Sequence, residues 1–220
     1  MLSRAQVLGA IALTLSIPAT ALSAQASGKV SVAGFETDGS VGLTRDEYDA
    51  LGRALSGLLS AQVGGPTTLV VKPVAGGVRS GRVDVGAARA AAAKAGAKVL
   101  VVGTLLDQYG DIHVEARVLD ATTGAPIAVV RGNPALAKRE QLAEAIADLA
   151  DRIAAQPAVG GAAGGGSRGG VPVAALVLYG RGLRFEDVGD NAKAAEAYRA
   201  AVRAAPGFTE AGSALKRVGG

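Results

Sequence analysis

The sequence predicts an α/β (α+β) chain: a mixed sheet with helices packed on it, followed by a small all-α helical hairpin. Three observations carry this. Between residues 29 and 156, β-rich apolar runs and segments of helical period follow one another in the order β-α-β-α-β-β-β-α. Residues 157–170 then break every period: Pro157-Ala158-Val159 leads into glycine and alanine with one Ser-Arg pair. Beyond that break, two stretches of helical spacing flank Gly189-Asp190-Asn191.

Lys29 to Thr37 reads as the first strand. Thr44 and Glu47 form a capping box, in which the Thr hydroxyl accepts a backbone N–H and the Glu reaches back to the cap. The helix it opens runs to Val63, with Leu51, Leu55, Leu58 and Gln62 on one stripe and Leu59 beside it. Gly65-Pro66 turns the chain into a second strand, Thr67 to Val74, and Ala75 to Arg82 is a glycine-bearing loop. Asp84 caps a small-residue helix, Val85 to Ala95, which Gly96 ends.

Lys98 to Leu106 is nearly continuous in apolar residues, the pattern of a central strand buried on both faces. A hairpin turn at Tyr109-Gly110-Asp111 follows. Ile112, Val114, Ala116 and Val118 then alternate with His113, Glu115 and Arg117, as in a strand wet on one face. Thr123-Gly124 turns into a short strand, Pro126 to Arg131. A last helix, Lys138 to Gln156, carries Leu142, Ile146, Leu149 and Ile153 on its inner face.

The organisation expected is a signal peptide at 1–26, an α/β domain at 27–156, a Gly-rich linker at 157–170 and a helical hairpin at 171–220. Arg4 is followed by an apolar run from Val7 to Ile17, too short to span a bilayer, which takes about 20 residues. Small residues at Ala21-Leu22-Ser23 and Ala24-Gln25-Ala26 offer two cleavage sites. The expected location is therefore periplasmic. With no Cys in the chain, a lipid on an amino-terminal Cys is excluded, so any outer-membrane association would be peripheral. The net charge of +4 is scattered among acidic residues with no aromatic interleaving, which speaks against nucleic acid as a partner. Aromatic residues make up only 3%, so the core rests on Ala, Val and Leu.

In the last segment Leu178, Gly182, Ala194, Tyr198, Ala201 and Pro206 fall in register with the tetratricopeptide repeat, which this hairpin resembles. Arg181 departs from the pattern, since that position usually carries an apolar residue. Phe208 to Val218 would be a short covering helix. A single repeat cannot bury its own apolar face. It must dock on its neighbour domain, on a second copy or on a partner. The sheet domain resembles the TolB amino-terminal and CsgG-type (curli secretion) envelope domains. The strings that carry this are Val30-Ser31-Val32-Ala33-Gly34-Phe35, Ala95-Gly96-Ala97-Lys98-Val99-Leu100-Val101-Val102-Gly103-Thr104 and Leu119-Asp120-Ala121-Thr122-Thr123-Gly124. Gly34 stands where that family tends to carry proline. The resemblance implies a docking module of the bacterial envelope and no active site.

Chemistry is sparse. His113 is the only histidine, and Glu115 shares its strand face, but a solvated surface explains both. Gly76 to Val83 approaches a phosphate-binding loop, yet Arg82 replaces its Lys and Val83 its Ser or Thr. No Gly-x-Ser-x-Gly elbow exists. No catalytic residue, cofactor site or metal site is assigned. Candidate partner-binding residues are Tyr179, Phe185 and Tyr198, as aromatic anchors, with Arg181, Arg184, Arg199 and Arg203 to steer an acidic partner. The function expected is a non-enzymatic envelope adaptor or scaffold binding protein partners. The alternatives are a homo-oligomeric component of an outer-membrane assembly and a sensor of a small ligand or phosphate.

Overall fold

The computed structural model describes residues 30–39, 42–63, 83–160 and 169–219. The expected signal sequence, the Thr67–Val74 strand, the glycine loop up to Arg82 and the centre of the linker lie outside these residues.

β1 (Val30–Gly39) leads to α1 (Arg45–Val63), and α2 (Val85–Lys94) leads to β2 (Val99–Gln108). β3 (Asp111–Asp120), β4 (Pro126–Arg131) and a two-residue β5 (Ala137–Lys138) follow. One 3-10 turn, Arg139–Gln141, opens into α3 (Leu142–Ala154). The chain ends with α4 (Val173–Asp187), α5 (Asn191–Ala204) and α6 (Thr209–Gly219). β1 pairs with β2 in parallel, and β2, β3 and β4 continue antiparallel in the order β1-β2-β3-β4. β5 joins the open end of β3 beyond β4, with Ala137 opposite Ile112. The mixed sheet packed with helices is the predicted fold class.

Local chemistry explains most boundaries. The Thr44 amide donates to Glu47 Oε2 at 2.8 Å, and the Glu47 amide points back at Thr44 Oγ1 at 3.4 Å, so the capping box forms. Asp84 accepts the Ala87 amide at 2.9 Å and caps α2, which ends before Gly96 at φ +68°. The β2–β3 loop has two residues: Tyr109 at φ 58° and Gly110 at φ 94°, both left-handed, as the tightest hairpins require. Asp111 belongs to the strand and not to the turn. At the next hairpin, Asp120 Oδ1 accepts the amides of Thr122 and Thr123 at 2.9 and 2.7 Å. Those donors hold its carboxyl below the ordinary carboxylate range.

The last predicted helix of the sheet domain starts four residues late. Lys138 is extended and pairs with β3, and the α-helix proper opens only at Leu142. β5 is too short for any period to reveal. The inner residues of α3 are as expected, with Leu142, Ile146, Leu149 and Ile153 fully buried.

β2 is buried on both faces. Val99, Val101 and Leu105 join the core beneath α1 and α3, while Leu100 and Val102 face α2 with Ala88 and Ala92. Ile112, Val114, Ala116 and Val118 of β3 enter the larger core, and His113, Glu115 and Arg117 stay partly exposed. The larger core runs without a break into the carboxy-terminal helices, through Ala175, Leu176, Tyr179, Leu183, Tyr198 and Phe208.

One polar cluster is buried where β2 ends. The Asp107 side chain is 1% exposed. Its Oδ2 accepts from Tyr48 Oη at 3.1 Å and from Arg139 Nη2 at 2.6 Å, and its Oδ1 accepts the Gly110 amide at 2.9 Å. Burial, reinforced by Asp107, pushes the Tyr48 phenol up to about 12. The cluster ties α1, the β2–β3 hairpin and the entry to α3 together.

Candidate partner-binding site

The carboxy-terminal helices form a layered hairpin. α4 turns at Gly189, φ +80°, into α5, which Asp190 caps by accepting the Lys193 amide at 3.1 Å. Gly182 is small for a reason: a Cβ there would stand 2.3 Å from the Tyr198 ring. Tyr198 fills that gap and donates to Glu186 Oε2 at 2.7 Å. Tyr179 stacks edge-on against Phe208, centroids 5.0 Å apart, and tilts against Tyr198 at 5.8 Å.

The inner face of this hairpin lies on α1. The two helix backbones meet at Gly180, where a Cβ would fall 1.8 Å from the Ala50 carbonyl oxygen. One turn further along α4, Leu183 and the Tyr179 hydroxyl close over Gly57 of α1. Ion pairs flank this seam. Arg181 Nη2 and Arg184 Nη1 reach the Asp46 carboxylate at 3.1 and 2.7 Å. Arg53 grips Asp187 with Nε and Nη2 at 2.7 and 2.8 Å. The Arg184 guanidinium, with Arg181 beside it, holds the Asp46 carboxyl below its ordinary range. Arg217 of α6 makes a second bidentate pair with Glu186, at 2.7 and 2.8 Å, and depresses the Glu186 carboxyl in the same way.

A cleft of about 520 Å³ opens along the seam, walled by Arg53, Tyr179, Glu186, Asp187 and Arg217. Its charges are already matched, cation to anion. Burial raises the Tyr179 phenol to about 12.

The seven residues singled out by sequence therefore fall into four settings. Tyr179 and Tyr198 are buried in the hairpin core. Arg181 and Arg184 are engaged with Asp46 of the same chain, which explains the polar residue where the repeat pattern expects an apolar one. Phe185 is half-buried under the Lys193 ammonium, 5.6 Å from its ring centroid. Arg199 and Arg203 are exposed one turn apart on α5, with no partner among the described residues. The seam residues Asp46, Arg53 and Gly57 escaped sequence reasoning, because nothing local to α1 reports what docks on it.

The His113 face is occupied differently from an acid–base pair. His113 Nε2 stands 3.9 Å from Glu115 Oε2, while that oxygen accepts from Arg131 Nε at 3.0 Å. The other ring nitrogen, Nδ1, lies 2.9 Å from the Ala135 carbonyl oxygen.

No protein-family model matches the chain, and no curated protein matches it in sequence. Among solved structures the chain is similar to the LpoB C-terminal domain from Salmonella enterica, at 13% identity and a TM-score of 0.29, over 48% of this chain and 82% of that one. A likeness at that level carries no argument about function.

Proposed function

We propose that the chain is an exported, non-enzymatic envelope adaptor that binds a protein partner through its carboxy-terminal hairpin. Residues 27–156 would be the envelope-docking α/β domain, akin to TolB amino-terminal and CsgG-type domains. Residues 171–220 would be a tetratricopeptide-like recognition element. The observation that carries this reading is the exposed pair Arg199 and Arg203 on α5. Arg181, Arg184 and Asp187 are spent on α1, and Glu186, Asp190, Lys193 and Arg217 on the hairpin itself, whereas these two guanidinium groups, one turn apart, face water. An acidic protein surface is the complement such a pair recognises. Phe185, half-buried under Lys193 beside the hairpin tip, supplies apolar area at the other end of α5. Tyr179 and Tyr198 then act from within by fixing the helices, and Arg181 and Arg184 by fixing the hairpin on α1.

The test is crosslinking and affinity capture from the native envelope. The bait is the chain from residue 27, compared with its Arg199→Glu/Arg203→Glu variant. A defined partner captured by the first and lost with the second, at unchanged thermal stability, is the expected result. Equal capture by both baits would overturn the assignment of α5. Surface changes of this kind alter stability by about 0.5 kcal/mol or less, so loss of capture would report recognition and not unfolding.

A further inference from the structure

Among the described residues, five large hydrophobic side chains are exposed; three of them lie along the β4–β5 border of the sheet and a fourth tips a turn at its end. Ile127 (43%) and Val129 (54%) belong to β4, Leu136 (57%) precedes β5, and Tyr109 (85%) tips the adjoining β2–β3 turn. β4 pairs with β3 on one side and with no described strand on the other. The Gly132 amide donates to the Val114 carbonyl directly opposite, at 3.0 Å. Stepping back by twos, Val130–Ala116 and Ala128–Val118 are the hydrogen-bonded pairs, so Val129 and Arg131 turn their N–H and C=O groups outward. An edge that presents both outward backbone groups and apolar side chains is a template for another strand.

We infer that this edge pairs antiparallel with β4 of a second copy of the chain, about a two-fold axis at Val129. The edge is complementary to itself in that register. Val129 meets its own counterpart, and Arg131 meets Ile127 of the other copy, so no like charges stand opposite each other. Arg131 is already neutralised by Glu115 at 3.0 Å. The bulge at Ile127, between the Val118–Ala128 and Leu119–Pro126 pairs, limits the pairing to the few residues around Val129. One short strand pair falls under the roughly 1,200 Å² of weak interfaces, so the dimer is concentration-dependent. This contact lies on the sheet border and is independent of the hairpin's partner.

The chain has no cysteine, which makes single-cysteine variants clean reporters. In the proposed register the two Val129 Cα atoms stand about 5.5 Å apart, within the 4.4–6.8 Å that a disulfide spans. Two Ile127 Cα atoms stand about 14 Å apart, beyond its reach. Under mild oxidation, Val129→Cys is expected to give a covalent dimer many-fold faster than Ile127→Cys or Leu136→Cys. Sedimentation of the wild-type chain should show a mass rising with concentration, and Val129→Lys should abolish the rise. Equal crosslinking at the three positions, or a monomer at every concentration, overturns the inference.

Discussion

Asp107 shows how much one side chain can hold. Its carboxylate is the shared acceptor for Tyr48, Arg139 and the Gly110 amide, which belong to three separate stretches of chain. Burying a carboxylate is costly unless it is paired and hydrogen-bonded, and here both oxygens accept, with Arg139 supplying the opposite charge. Removing the charge leaves the Arg139 guanidinium facing a neutral group in a site it enters only partly, since it keeps 23% exposure. Asp107→Asn is therefore expected to destabilise the chain by about 3 kcal/mol. A urea titration followed by far-ultraviolet circular dichroism checks this, and a change under about 0.5 kcal/mol would show that the cluster is decorative.

At the scale of elements, the informative contact is the crossing of α1 and α4. Gly180 has no room for a methyl group, because the Ala50 backbone occupies that place. Backbone cannot step aside as a flexible side-chain tip can. Gly180→Ala should therefore lift the hairpin from α1 and cost about 1–3 kcal/mol or more, as overpacking does. Gly212→Ala in α6, where a Cβ meets nothing within 4 Å, should be neutral or gain up to about 1 kcal/mol from helix propensity. Protease cleavage in residues 161–168 reads the difference. Faster cutting in the first variant alone is the expected pattern, and equal rates in both would show that the crossing tolerates the methyl.

The same crossing marks where sequence reasoning stops. The capping box at Thr44, the Asp84 cap and the alternation along β3 are written within a few residues, and they were legible. So was the pairing of α4 with α5, because Ala194, Tyr198 and Ala201 recur at helical spacing on α5 opposite the small Gly182 of α4. The two-residue β5 and the bulge at Ile127 have no period to read. Asp46 with Arg181 and Arg184, Arg53 with Asp187, and Asp107 with Tyr48 join residues 59 to 138 positions apart. No local pattern specifies such pairs. Of the candidate site, the residue types were legible, but not which arginines face inward and which face water.

The continuous core predicts that the whole molecule unfolds as one cooperative unit despite its glycine-rich linker. A lone helical hairpin cannot bury its apolar face, and this one covers that face within its own chain. Tyr179 and Leu183 close over Gly57, and Ala175, Leu176 and Tyr198 join the core that holds Leu51 and Leu55 of α1 and Ile146 of α3. Neither half keeps a finished surface when the other leaves. Calorimetry of the chain from residue 27 should thus show one transition, with calorimetric and van't Hoff enthalpies in agreement. Truncation after Gln156 should lower the melting temperature and expose apolar surface to a dye, because the α1 face packed by α4 would meet water. Two separated transitions, or a truncated form as stable as the full chain, would mean that the hairpin rests on α1 without sharing its core. The outcome also bears on the proposed adaptor role. A fused core would fix Arg199 and Arg203 in direction relative to the sheet, so a partner bound there would be held at a set angle to the sheet.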